Sequence, residues 1–132
     1  MPASATANYI QDKGYNAAAA LTKFRAVKFS AAETVTPVTA ITDVVSGVVQ
    51  HDVTAAEILR GKGASIRTEG DTVWEASAAI TIGQLATIAA DGRVKPLAAG
   101  ERKVGWCVEG ATGAGKYARI HLQLGGDVAG TA

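Results

Sequence analysis

The sequence predicts a small all-β or β-rich domain, compact and barrel- or sandwich-like, with an extended N-terminal arm. Three observations point there. The run Tyr117–Leu124 alternates strictly, with Tyr117, Arg119, His121 and Gln123 on one side and Ala118, Ile120, Leu122 and Leu124 on the other, which is the period of a half-buried strand. Asp91-Gly92 stands between two apolar runs as a hairpin signal suited to a two-residue type I′ loop. One glycine-led unit occurs twice, at Ser46–Ile58 and Val104–Tyr117, with Gly47 matching Gly105 and Thr54 matching Thr112.

Taken in order, residues 1–16 combine small and polar residues with Tyr9, Ile10 and Tyr15 and have no period, so they read as an arm without a partner in the chain. Ala17–Leu21 has the composition of a single helical turn. Phe24 to Phe29 alternates in part, and Val35–Val49 is rich in β-branched residues, with Pro37 marking an edge or turn at its start. Thr54-Ala55-Ala56-Glu57 matches a helix capping box, but Gly61 and Gly63 follow so soon that a turn into a strand is the expected outcome. Ser65–Ala76 reads as two short strands about Glu69-Gly70-Asp71, and Ile80–Ile88 as another strand. Val94–Leu97 leaves the Asp91-Gly92 turn as an edge strand because of Pro96. The domain division is thus an arm at 1–16, one β-rich domain at 17–125 and a tail at 126–132.

Composition narrows the function classes. At 132 residues the chain forms one domain, 48% hydrophobic but only 5% aromatic, so its core is built from Ala, Val, Ile and Leu and is lean enough to favour self-association. A net charge of +1 lacks the concentrated basic face that nucleic acid demands. Arg60, Lys62 and Arg67 form the nearest approach to a basic cluster and read first as a solvated face. No apolar run reaches the roughly 20 residues of a membrane span. The polar start lacks the basic and apolar regions of a secretory leader, so the cytoplasm is the expected place of synthesis.

Sites for chemistry are equally constrained. Gly110 and Gly115 followed by Lys116 fit phosphate-loop spacing, but Tyr117 stands where a magnesium-binding hydroxyl belongs, and a strand follows where the motif needs a helix. His51, His121 and Cys107 share no ligand spacing, and no Gly-x-Ser-x-Gly elbow or paired acid–base set is present. No catalytic, cofactor or metal residues are expected. Cys107, inside an apolar run, reads as a small hydrophobe. Trp106, between Val104 and Val108, reads as core, whereas Trp74 suits core or interface equally.

Several stretches together resemble the capsid decoration, or cement, proteins of tailed bacteriophages. They are Tyr9-Ile10-Gln11, the run Gly47–Glu57, Ile80–Leu85, Val104–Ala111 and Gly115–Leu122, and they occur in that order over most of the chain. Asp52-Val53 departs from the pattern, where an alanine or a more regular turn belongs. The resemblance implies a β-tulip-like domain, a homotrimer on the outside of the virion, the major capsid protein as partner, and neither nucleic acid nor membrane. It assigns capsid contact to Tyr9, Ile10 and Tyr15 and a further interface to Trp74, Arg60, Lys62 and Arg67. A different class, a carbohydrate- or host-binding β module, needs aromatic platforms that a chain of three Tyr and two Trp supplies poorly.

Overall fold

The computed structural model describes residues 10–124. It contains β1 (Gln11–Ala17), β2 (Ala26–Ala31), β3 (Thr34–Pro37), β4 (Gly47–Val49), α1 (Ala55–Leu59), β5 (Ala64–Glu75), β6 (Leu85–Ile88), β7 (Val94–Pro96), β8 (Gly105–Glu109) and β9 (Tyr117–Leu122). Strand β5 organises the rest. Its first half pairs on one edge with β4, Val48 opposite Arg67, and on the other with β1, Gln11 opposite Glu69 through Tyr15 opposite Ala64. β1 runs parallel to β3, β3 pairs with β2, and β2 with β4, so five strands close into a barrel that leaves no open edge. The second half of β5 pairs with β9, followed by β8, β6 and β7, and an isolated bridge from Val94 to Ala76 returns β7 to the end of β5.

The change of partner falls at Gly70. Its φ of +88° is a conformation that residues with a Cβ rarely adopt. The turn expected at Glu69-Gly70-Asp71 is therefore corrected: one strand of twelve residues passes through, and the glycine redirects it from the barrel to the second sheet. Phe24 ties the two halves from the other side. Its N–H donates to Val49 O at 2.7 Å and its carbonyl accepts from Glu75 N–H at 2.9 Å, which holds its backbone at φ +61°. Arg25 and Arg93 both reach the Glu75 carboxylate beside it.

Two apolar cores result. Val27, Val35, Val49 and Ile66 fill the barrel, while Trp74, Ile88, Val94 and Ile120 anchor the larger cluster against the second sheet. Strands β2 and β4 lie between them. Ala26 and Val48 face the larger cluster and their neighbours Val27 and Val49 face the barrel, because successive strand residues point to opposite sides. Trp74 is fully buried and its indole N–H donates to Gly92 O at 2.8 Å. Truncating such a tryptophan typically costs about 3–5 kcal/mol, so in a core of small side chains this one residue carries much of the packing.

The repeated unit has a common physical cause at its head. Gly47 opens β4 and Gly105 opens β8, and each lies where a Cβ would strike the neighbouring strand: the Arg67 carbonyl and Ile66 methyl in one case, the His121 carbonyl in the other. The copies then diverge. Thr112 sits in a loop, but Thr54 caps a helix, correcting the expected turn into a strand. Glu57 N–H donates to Thr54 Oγ1 at 3.1 Å and Thr54 N–H to Glu57 Oε1 at 2.9 Å. At the other end Gly61, at φ +85°, lets Gly61 and Lys62 donate to the carbonyls of Ile58 and Glu57. Satisfied at both ends, five residues suffice for a helix.

Three further expectations change. The arm is shorter than read, since Gln11–Ala17 is a strand between β5 and β3; its side chains are mostly exposed, and backbone pairing rather than burial holds it. Ala17–Leu21 forms no helical turn, and Leu21 bridges to Val53 instead. The Asp91-Gly92 hairpin joins β6 and β7 as expected, but its loop inside the bonded pair Ala89 and Arg93 has three residues, 90–92, with Ala89 N–H on Arg93 O, Gly92 N–H on Ala89 O, and positive φ at Gly92 alone. Tyr9 and the tail at 126–132 lie outside the described residues.

Candidate functional site

Each expected contact residue has a definite place. Ile10 is about half exposed and lines a cleft of about 170 Å³ with Arg67, Asp71, Val73 and Arg119. Tyr15 packs against the barrel core and meets Phe29 edge-on at 5.2 Å, so it belongs to the fold rather than to a free arm. Trp74 cannot be an interface, because alternation along β5 turns it inward with Thr72 and Ala76. Arg60, Lys62 and Arg67 do not form one basic loop. Arg60 is the C-cap of α1, Lys62 pairs with Glu57 at 2.9 Å, and Arg67 stands in β5 with both Asp12 oxygens at 2.8 and 3.2 Å. Two of the three charges are matched, which removes the reason to group them.

Trp106, read as core, faces outward, and Trp74, which suited core or interface, is the one that is buried. Gly105 and Cys107 face inward and Trp106 faces outward, half-buried, on β8. Its ring stacks on that of His121 at 4.5 Å and 26° between planes. His121 Nδ1 lies 2.7 Å from Asp71 Oδ1. Register extends the row: Leu85 lies opposite Trp106, Trp106 opposite His121, and His121 opposite Asp71, across four strands. Sequence reasoning missed this row, since Val104–Val108 is apolar throughout and offers no alternation. The signal available was the polar face of β9, whose His121 requires an outward-facing neighbour.

Other chemical candidates resolve into structure. Burial raises the Cys107 thiol above its ordinary pKa, which keeps it protonated and unreactive. Lys116 ends a loop in which its N–H donates to Gly113 O at 3.2 Å, and β9 follows directly, so no helix N-terminus faces the glycines. His51 Nε2 accepts from Ser65 N–H at 3.0 Å, and a broad open groove beside it is lined by Tyr15, Asn16, Glu33 and Ser65. Asp52, where the family pattern breaks, accepts from Lys23 N–H at 2.8 Å, while Val53 is buried. Among the described residues no three His, Cys, Asp or Glu side chains gather as metal ligands, and no helix is long and apolar enough to cross a membrane.

The two ends of the described chain meet. Gln11 lies opposite Glu69 and Leu122 opposite Gly70, adjacent residues of β5, so β1 departs from and β9 arrives at one point. What the arrangement offers is therefore a closed barrel, a second sheet with an aromatic outer row, and both chain ends issuing beside that row.

No family model and no curated protein matches the chain. Among solved structures, the N base of head fiber gp8.5 of bacteriophage phi29 is similar, with a TM-score of 0.66 and 17% identity over 87% of this chain and 95% of that one. At that identity the likeness shows a shared β-rich fold.

Proposed function

We propose that the chain is a structural decoration protein of a phage head, which binds the outside of the capsid lattice as a homotrimer and holds neighbouring coat subunits together against the pressure of packaged DNA. The observation that carries this reading is the fold shared with the base of a phage head fiber, matched over nearly all of that base. It agrees with the resemblance of five ordered stretches to capsid cement proteins. The major capsid protein is the proposed partner. A trimer touching several coat subunits turns weak single contacts into firm retention. Residues up to Ile10 supply an arm for pairing with an exposed strand edge of the coat, and half-exposed Ile10 stands where that arm begins.

A glycan-binding reading has outward-facing, half-buried Trp106 beside His121, with Asp71 on the far side of that histidine, in its favour. Stacking on His121, however, takes one face of the indole away from any sugar ring. The deciding experiment is co-sedimentation with capsids of the phage that encodes the chain. Saturable binding to expanded heads, with little to unexpanded precursors, is the expected result. Absence of binding to either, together with a positive glycan array, would replace the decoration reading.

A further inference from the structure

Two residues on the barrel's outer surface are the reverse of what their backbone asks for. Glu33, in the β2–β3 turn, has φ +57°, a conformation that suits glycine and strains a residue with a Cβ. Its carbonyl accepts from Asn16 N–H at 2.8 Å, a main-chain bond that glycine would make equally well. Gly14, in the middle of β1, has no positive φ, and a Cβ added to it would meet nothing within 4 Å. A side chain there would fit and would firm the strand. Gly63 close by is different, since its Cβ would lie 3.1 Å from Tyr15 O. Neither backbone conformation nor packing accounts for a glutamate at 33 or a bare main chain at 14.

Both residues line one open groove of about 570 Å³, together with Asn16, His51 and Ser65. Gly14 and Asn16 are exposed on the same side of β1, Ser65 lies opposite Gly14 on β5, and Glu33 stands beyond Asn16. The groove thus has a floor of uncovered peptide at Gly14 and a carboxylate on one wall. Glu33 is the only Asp, Glu, Lys or Arg that lines it, and among the described residues it takes part in no ion pair. The charged side chains nearest along the chain are engaged elsewhere or turned away. Asp12 holds Arg67, Lys62 holds Glu57, Asp52 accepts from Lys23 N–H, and Lys13 alternates to the opposite face of β1. His51 Nε2 is occupied by Ser65 N–H.

We propose that this groove receives an arginine side chain of the coat protein. An unmatched carboxylate calls for a cation. A guanidinium is flat, so it can lie on bare peptide where any side chain at 14 would lift it away, and its fork of donors suits the Glu33 carboxylate. A lysine ammonium is compact and strongly hydrated and gains nothing from the flat floor. The proposal rests on the decoration reading for the source of the arginine; the groove's preference for a guanidinium is separately measurable.

Titration of the full chain with N-acetylarginine amide, followed through backbone amide chemical shifts, tests it. Saturable shifts are expected at Gly14, Asn16 and Ser65. N-acetylcitrulline amide, which has nearly the same shape without the charge, should bind at least about tenfold more weakly, as loss of a charge-assisted hydrogen bond does. Glu33→Gln and Gly14→Val should each weaken the arginine probe by at least about the same factor. Glu33→Gly should lose the probe too, yet melt at or above the wild-type temperature, because glycine relieves the strained turn. Stability and binding would then move apart, which a purely structural glutamate does not allow. A wild-type chain without saturable shifts, equal binding of the citrulline probe, or a Glu33→Gly chain that melts below the wild type overturns the proposal. Glu33→Gln chains that decorate capsids as firmly as the wild type overturn it alone, whereas a wild-type chain that binds the arginine probe and ignores capsids overturns the decoration reading alone.

Discussion

Asp43 shows how much one side chain can hold in this fold. Its Oδ2 accepts from Thr39 N–H at 2.8 Å, Lys28 Nζ at 2.9 Å and Ala40 N–H at 3.0 Å, closing the β3–β4 loop onto β2. The Thr39 N–H foremost, and then Lys28, lower its pKa from 3.8 to about 2. A carboxylate whose folded pKa lies below its unfolded value stabilises the fold in full above the unfolded value, and that contribution disappears as pH falls through the folded one. The urea midpoint should thus be steady above pH 5 and decline between 3.8 and about 2, with a shallower decline in Asp43→Asn. Equal slopes in the two proteins would assign the acid sensitivity elsewhere, Glu57 being next, since its pair with Lys62 lowers it likewise.

At the scale of elements, β1 is where sequence and structure part most instructively. Deleting residues 1–14 removes Gln11 to Gly14, which make most of the pairings that close the barrel, and takes Asp12 from Arg67. That truncation should melt well below the full chain, whereas deletion of residues 1–9, which spares every described pairing, should melt close to it; thermal unfolding followed by circular dichroism distinguishes them. The strand was invisible in the sequence because only Tyr15 and Ala17 of its seven residues meet the core, too few to mark a hydrophobic period. β4 shows no alternation because both its faces are buried between the two cores, and β2 alternates only in part because Ala26 and Val27 face different cores while its later residues reach solvent. β9 was legible because one face meets the core and the other water. Helix α1 announced itself in Thr54 and Glu57, but the glycines beyond were read as breaking it when they end it. In the candidate site, the outward place of His121 on the polar face of β9 was legible, and the Trp106 row was not, since it depends on register between strands far apart in the chain.

For the whole molecule, the shared strand sets cooperativity. β5 contributes Ala64 and Ile66 to the barrel core and Trp74 to the larger one, so neither half can lose its partner strands without loosening the other. Trp74 fluorescence, which reports the larger core, and far-ultraviolet circular dichroism should therefore trace one coincident denaturant transition, and two separated midpoints would show the halves to be independent. The meeting of the chain ends on that same strand has a mechanical consequence. Tension applied through both ends enters at Glu69 and Gly70 and opens the β1 and β9 ladders from their nearest pairs outward, one main-chain bond of about 0.5–1.5 kcal/mol net at a time. That is the geometry of unzipping rather than of shear. A load carried by the terminal segments peels the two strands progressively at low force, whereas a load spread across the sheet face engages every strand at once.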